Sequence, residues 1–232
     1  MPRIIYIHVP KCGGSSFGAA LRLRYFLSQA GIDLNPGDPA LPAAPRLRAD
    51  YARRRVQLHE LVAQGTRMIS GHVQYDPQLH DGAARHYRFV TLLRDPVARF
   101  VSHYNYLKRR HPDPLRPATL AAFLDTPDAA RLASQYRFYF ASQSLQPGKD
   151  PTPLIARAGA ALARFDIVGD LSQPRTFADQ LRRHIGTPLP RWRRNGAPVP
   201  TKIPADLRPL IEALCAADIA VYQAVQTAGI AA

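Results

Sequence analysis

Ile4-Ile5-Tyr6-Ile7-His8-Val9-Pro10-Lys11-Cys12-Gly13-Gly14-Ser15-Ser16-Phe17 is the stretch around which the rest of the chain is arranged. Its apolar, β-branched opening has the composition of a parallel strand buried on both faces. Pro10 ends the ladder because it has no N–H to donate. Gly13 and Gly14 let the backbone turn sharply and lie close to a ligand. Ser15 and Ser16 are good N-cap residues, and Phe17 to Leu27 has helix-forming composition. Strand, lysine, glycines and helix start together describe an anion cradle. Backbone N–H groups and the positive helix end point at a phosphate, and Lys11 adds a full charge. The same stretch also reads as a tight strand-to-helix turn with a solvated lysine. In a nucleotide-triphosphate P-loop the Lys-Ser/Thr pair follows the last glycine; here Lys11 precedes both glycines.

A second site lies further on. Phe89-Val90-Thr91-Leu92-Leu93 is another buried-strand candidate, and it delivers Arg94-Asp95-Pro96. Asp95 can cap a helix that begins at Pro96, the favoured helical position for proline. In that helix Arg99, Ser102, His103 and Tyr106 are spaced by three or four residues and share a face. Arg94 at the strand end and Ser102 on the helix can grip one phosphate from two sides.

The order of residues in the first stretch resembles the 5′-phosphosulfate loop of sulfotransferases that use 3′-phosphoadenosine-5′-phosphosulfate (PAPS). His8 to Phe17 is similar to the opening motif of the heparan-sulfate 2-O-sulfotransferase-like family of carbohydrate sulfotransferases. Cys12 stands where most members carry threonine or another small residue. The segment from Arg94 to Tyr104 resembles the family's 3′-phosphate motif, which implies that Arg94 and Ser102 bind the 3′-phosphate. By the same resemblance Lys11, Cys12, Gly13, Gly14, Ser15 and Ser16 form the donor loop. Asp218-Ile219-Ala220-Val221-Tyr222 is similar to the terminal Asp-x-x-x-Tyr signature. The resemblance runs from residue 4 to about residue 223. It implies a P-loop-kinase-like α/β domain of three layers, with a central parallel sheet flanked by helices. Strands alternating with helical segments point independently to that class.

Elsewhere, residues 31–47 are rich in proline and read as a loop or lid. Residues 48–64 read as a helix with Val56, Leu58, Leu61 and Val62 buried. Met68 to Val73 reads as a short strand ending in a turn at Gly71-His72. Residues 118–143 have helical composition and contain the aromatic run Tyr136, Phe138, Tyr139 and Phe140. Helices are expected over 156–163, 177–185 and 207–225, with a strand at Phe165 to Gly169. Residues 186–204 read as an arginine-bearing loop, with Arg191, Arg193, Arg194 and Lys202, placed like the family's late nucleotide-covering segment. No linker divides the 232 residues, which are expected to form one domain.

Lysine and arginine number 31 against 17 acidic residues, a formal charge of +14. Such a surplus fits polyanionic company, whether nucleotide, sulfated sugar, nucleic acid or acidic membrane. Arginine-rich composition in a GC-rich genome produces the same surplus. The basic clusters are scattered, with no basic tail and no recognisable nucleic-acid module. No run of about 18 apolar residues is long enough to span a membrane. A strand that begins at residue 4 leaves no room for a signal peptide, so a soluble cytoplasmic protein of bacterial type is expected. Cys12 and Cys215 are too few for a disulfide framework and lack metal-ligand spacing. Cys12 reads as a small filler, or as a reactive thiol if the cradle is electropositive.

Sulfuryl transfer needs positioning, a cation near the bridging oxygen of the leaving phosphate, and a base for the acceptor hydroxyl. Lys11 occupies the position of the family's leaving-group lysine. His72 is the leading candidate base, since histidine titrates near neutrality and Gly71-His72 is similar to the 2-O-sulfotransferase segment that carries the proposed base. His8 and His103 are weaker rivals, because strand burial and helix packing explain them. Glu60 and Glu212 lie far from either motif. No metal is expected. The expected acceptor is a glycan or another hydroxyl-bearing molecule, and nucleic acid is not an expected partner. Two other classes share features of the chain: a P-loop-type nucleotide kinase has the same α/β class, and a basic nucleic-acid-binding protein has the charge.

Overall fold

The structure, a computed structural model, describes residues 1–33, 42–110, 113, 116–142, 149–186 and 203–229. The first strand, β1 (Arg3–Ile7), is followed by α1 (Gly14–Arg24), β2 (Gln29–Gly31), α2 (Ala43–Ala63), β3 (Met68–Gly71), α3 (Pro77–Asp81), β4 (Tyr87–Leu93) and α4 (Pro96–Arg110). Three short helices follow, α5 (Leu120–Leu124), α6 (Pro127–Ala133) and α7 (Gln135–Phe140). The chain continues with α8 (Thr152–Leu162), β5 (Ile167–Asp170), α9 (Pro174–Ile185) and α10 (Arg208–Thr227). The five strands form one sheet in the order β2-β3-β1-β4-β5, and every pairing is parallel.

A parallel sheet covered on both faces needs apolar residues at every strand position, and β1 supplies them. Ile5 and Ile7 join one core with Leu58 and Val62 of α2, Tyr136, Tyr139 and Phe140 of α7, Leu162 of α8, and Val221 and Val225 of α10. Ile4 and Tyr6 face the opposite layer, with Leu21 of α1 and Phe177, Leu181 and Ile185 of α9. A third cluster lies among helices alone, where α4, α5, α6 and the first half of α10 meet around Phe100, Phe123, Leu132 and Ile211.

Several elements depart from the sequence reading. The first helix starts at Gly14, with Gly13 at φ 77° as its N-cap, so Ser15 and Ser16 lie within the first turn rather than capping it. The helix ends at Arg24, short of Leu27. Tyr25 leaves the helical conformation and is buried, its hydroxyl donating to the Pro2 carbonyl at 2.8 Å. The second helix begins at Ala43, five residues before the expected 48, because Pro45 falls in its first turn, where a missing N–H costs nothing. Leu58 and Val62 are buried and Leu61 partly so, but Val56 is 57% exposed on the opposite side of that helix. The edge strand β2 was not expected. Its Gln-Ala-Gly sequence has no strand propensity, and it exists by pairing with Met68–Ser70. The helical region 118–143 is broken at Thr126 and Ser134 into its three short pieces.

The last helix is fastened at two points. Asp218 is fully buried; its carboxylate accepts from the Tyr136 N–H at 2.7 Å and from Arg137 Nε at 3.1 Å. One turn later Tyr222 donates to Asp170 at the end of β5, as does Gln226 at 2.7 Å. Removing Asp218 leaves the Arg137 guanidinium buried without its counter-charge, a class of change that costs about 3–5 kcal/mol. Asp218→Ala is therefore expected to lower the melting temperature by roughly 6–20 °C for a chain of this size. Thermal unfolding followed by circular dichroism measures this, and a shift of only a degree or two would show that the pair does not hold the helix.

Candidate functional site

Parallel pairing brings the ends of β1, β3 and β4 to one edge of the sheet. Ile7 is opposite Gly71 on one side and Thr91 on the other. The chain after β1 therefore emerges between His72 and Arg94, which are distant in sequence. The strand order reverses at β1, and that crevice is where open α/β sheets place ligands.

The loop from His8 to Gly13 is shaped by two residues in the left-handed region, Lys11 at φ 68° and Gly13 at φ 77°. Glycine tolerates this conformation, whereas lysine adopts it at a cost that surrounding structure must hold. Arg94 supplies one restraint: its Nη1 donates to the Lys11 carbonyl at 3.3 Å. Tyr106 of α4 supplies another, with Lys11 Nζ 4.3 Å from its ring centroid. Burial lowers the Lys11 pKa, and the nearby Arg109 and Arg94 lower it further. Three cations thus converge beside the N-terminus of α1, whose first amides have no carbonyl a turn earlier to bond. Neither Lys11 nor Arg94 has an acidic partner among the described residues.

The second predicted segment folds as read. The Asp95 carboxylate accepts from the Ala98 N–H at 2.8 Å and caps α4. Ser102 lies one turn before Tyr106, on the face that carries Lys11's neighbours. Arg99 on the same helix is fully buried; it donates to the Leu132 carbonyl and lies 5.8 Å from the Tyr136 ring centroid. His103 is also turned inward, and its Nδ1 is buried without a partner.

The structure brings together Lys11, Gly13, Gly14, Arg94 and His72, and sets Ser102 on the adjoining helix. Ser15 and Ser16 follow in the first turn of α1, where the Ser16 N–H donates to the Gly13 carbonyl at 3.1 Å. The side chain of Cys12 points the other way. It is fully buried in the core, 3.8 Å from the Tyr136 hydroxyl, and burial pushes its thiol up to about 11. That is the setting of a small filler rather than a reactive thiol. The arginine-bearing loop expected over 186–204 lies almost wholly outside the described residues.

His72 follows β3. Its Nδ1 donates to the His8 carbonyl at 2.5 Å, so the neutral ring keeps its lone pair on Nε2. Burial lowers its pKa to about 4, against the effect of the His8 bond and with that of Arg54. Arg54 also donates to the His72 carbonyl at 3.1 Å. His8 and His103 are pushed down as well, by burial first and then by neighbouring charges.

Three contributors were given no role by sequence reading. Tyr136 holds the Arg94 backbone, accepting from its N–H at 2.8 Å and donating to its carbonyl. Tyr106 and Arg54 contact Lys11 and His72 respectively. Tyr106 was read on the shared face of α4 but given no role; Tyr136 stood in an aromatic run equally expected of a core, and Arg54 in a run of three arginines, so nothing local marked those two.

Among the described residues, no group of three His, Cys, Asp or Glu side chains is placed to hold a metal, and no helix is long and apolar enough to cross a membrane. A family model described as Sulfotransferase family matches residues 2–227. The chain belongs to the sulfotransferase family, and sulfuryl transfer is its general activity. No curated protein matches it.

The three inward histidines make stability depend on pH. Their pKa values are lower folded than unfolded, so the unfolded chain binds more protons below about 6.5. Their contribution is complete above that value and is lost progressively as pH falls below it, toward about 4 for His72. The raised pKa of buried Asp218 works in the opposite direction, but as a single group. The melting temperature is therefore expected to fall steadily from pH 7 to pH 4.5; an unchanged value across that interval would mean these rings are hydrated.

Proposed function

We propose that the chain is a PAPS-dependent sulfotransferase that moves a sulfuryl group to a hydroxyl of a carbohydrate acceptor. One observation carries this reading: Lys11 and Arg94 converge at the N-terminus of α1, on the crevice side of a parallel sheet. The sheet order with a helix directly after the loop supports the P-loop-kinase-like assignment. The family match does not favour a kinase or a nucleic-acid-binding protein.

The donor would fit this cradle by charge and by shape. Backbone amides at Gly14 and Ser15, with Lys11, suit a 5′-phosphosulfate, while Arg94 and Ser102 suit the 3′-phosphate. PAPS supplies an activated sulfuryl group on a phosphate leaving group. Lys11 places positive charge where charge grows as the S–O bond to that phosphate breaks. His72, held by His8 with Nε2 as the proton acceptor, takes the acceptor hydroxyl's proton as its oxygen bonds to sulfur. The carbohydrate class of acceptor rests on the likeness of Gly71-His72 to the 2-O-sulfotransferase segment.

The product nucleotide, 3′-phosphoadenosine-5′-phosphate, should raise the melting temperature in EDTA, since a ligand that binds only the folded state stabilises it. Arg94→Ala should weaken that binding by roughly one to two decades, the size of a charge-assisted contact. Adenosine 5′-phosphosulfate, which lacks the 3′-phosphate, should lose much less, since only the Arg94 bond to the Lys11 carbonyl then bears on its binding. No stabilisation by saturating nucleotide would remove the proposal, and equal losses for both nucleotides would place Arg94 elsewhere.

His72→Ala should lower turnover by about two to four decades, the usual contribution of a general base, with nucleotide affinity nearly unchanged. Calorimetry and turnover on the same folded variant make the comparison. If more than about a tenth of turnover survives, a base of that strength must be another residue.

A further inference from the structure

His8 is tied to both halves of the site. Its N–H donates to the Gly71 carbonyl at 2.9 Å, and its carbonyl receives His72 Nδ1 at 2.5 Å. The two imidazoles stack with centroids 4.5 Å apart and planes 29° from parallel. The His8 ring also presses on the first residue of α1. A Cβ added to Gly14 would lie 2.0 Å from His8 Cδ2 and 2.2 Å from Nε2, closer than real atoms approach. Tyr6 stacks on the same ring at 5.9 Å. One imidazole therefore touches the residue that opens the anion cradle and the residue that faces the acceptor. Gly14 is needed here for space, not for a left-handed turn.

We propose that His8 is a positioning residue: its carbonyl selects the Nδ1–H tautomer of His72, and its ring, seated against Gly14, fixes the plane of the His72 ring. This rests on the reading of His72 as the base. A ring held at one angle keeps the Nε2 lone pair aimed along one direction, and a misplacement of about 1 Å in such a group can cost a hundredfold in rate. The charged and titratable groups around the pair come from every neighbouring element. Arg54 of α2 and His103 of α4 interact with His72, while Lys11 of the loop after β1 and Arg22 of α1 interact with His8. None is an acid, so the surroundings favour neutral rings, and the stack excludes the water that would otherwise stabilise a charged one.

The test reads His72 directly, without an acceptor. The full chain labelled with 15N-histidine is followed by 15N–1H correlation from pH 7.5 to 4.5, as wild type, His8→Phe, His8→Ala and Gly14→Ala. Wild type and His8→Phe should show His72 as the Nδ1–H tautomer, titrating well below 6.5. The backbone carbonyl survives in every variant, so any change reports the ring. His8→Ala should keep the Nδ1–H tautomer, since the carbonyl remains, but move the His72 titration toward 6.5, and turnover should fall by about ten- to a hundredfold while nucleotide affinity holds. His8→Phe should restore both. An unchanged His72 titration in His8→Ala overturns the proposal. If His8→Ala does not fold, Gly14→Ala, whose methyl must displace the ring, takes its place, and an unaltered His72 there overturns it equally. A His72 titration that responds to these variants as expected, alongside a wild-type chain that transfers sulfate to no acceptor, would count against the base and leave the positioning intact.

Discussion

The Tyr136 hydroxyl closes a two-bond ring with the Arg94 backbone, and the geometry of the site depends on it. A phenol buried to this degree must find partners or destabilise the fold, and here both come from one residue of the loop after β4. That loop would otherwise be a free end of the sheet carrying an arginine. The restraint continues, because the Tyr136 N–H is itself bound by Asp218 of the last helix. The position of Arg94 is thus set from a residue 124 further along the chain, through α7 and a buried carboxylate. The terminal Asp-x-x-x-Tyr pattern acquires a physical meaning from this. Asp218 fixes the helix that carries Tyr136, and Tyr222 fixes the end of β5 through Asp170. Neither side chain needs to meet a ligand for its loss to disturb the anion cradle.

Register does the remaining work. In a parallel ladder, residues that leave adjacent strands at the same level remain neighbours. Ile7 opposite Gly71 makes His8 the neighbour of His72, and Ile7 opposite Thr91 brings the loop at Lys11 to Arg94. A one-residue slip of β3 would turn His72 to the other face of the sheet. The slip is opposed by the two-sided burial of β1, since Ile4 and Tyr6 belong to one core and Ile5 and Ile7 to the other. The hydrophobic pattern that makes the strand therefore also sets the spacing of the chemical groups beyond it.

What was legible in the sequence follows from the range of the forces involved. Ile4–Ile7 and Phe89–Leu93 were readable because burial on both faces writes itself into consecutive residues. The Asp95-Pro96 helix start was readable because its cap is made within three residues. Beyond that range the reading failed. β2 has no intrinsic signal, and only Met68–Ser70 makes it a strand. Val56 looked like a core residue because adjacent Leu58 and Val62 are buried, yet the helix turns it outward. The serines were read as caps, but Gly13 at positive φ starts the helix earlier and removes the need for one. Tyr136 and Arg54 were hidden because their partners lie far away in sequence, and an aromatic or an arginine has many ordinary uses.

The depressed pKa of His72 counts against a base in the free protein, since a group near 4 is a weak proton acceptor at neutral pH. The conflict is resolved by asking which charges set the value. Burial comes first, and the positive neighbours of the pair, Arg54, Lys11 and Arg22, work in the same direction. An anion gripped by Lys11 and Arg94 adds negative charge to this surround, which favours the protonated imidazole and raises the pKa. The His8 carbonyl acts in that sense too, because it bonds more strongly to an imidazolium than to a neutral ring. On the proposed reading, a ring kept neutral by its own surroundings is ready to accept a proton, and it would become an effective base once the donor is in place. That order would protect the lone pair from idle protonation and tie the proposed proton step to donor binding. On that reading, burial and the charge of Arg54 would restrain the base until the donor's negative charge arrives.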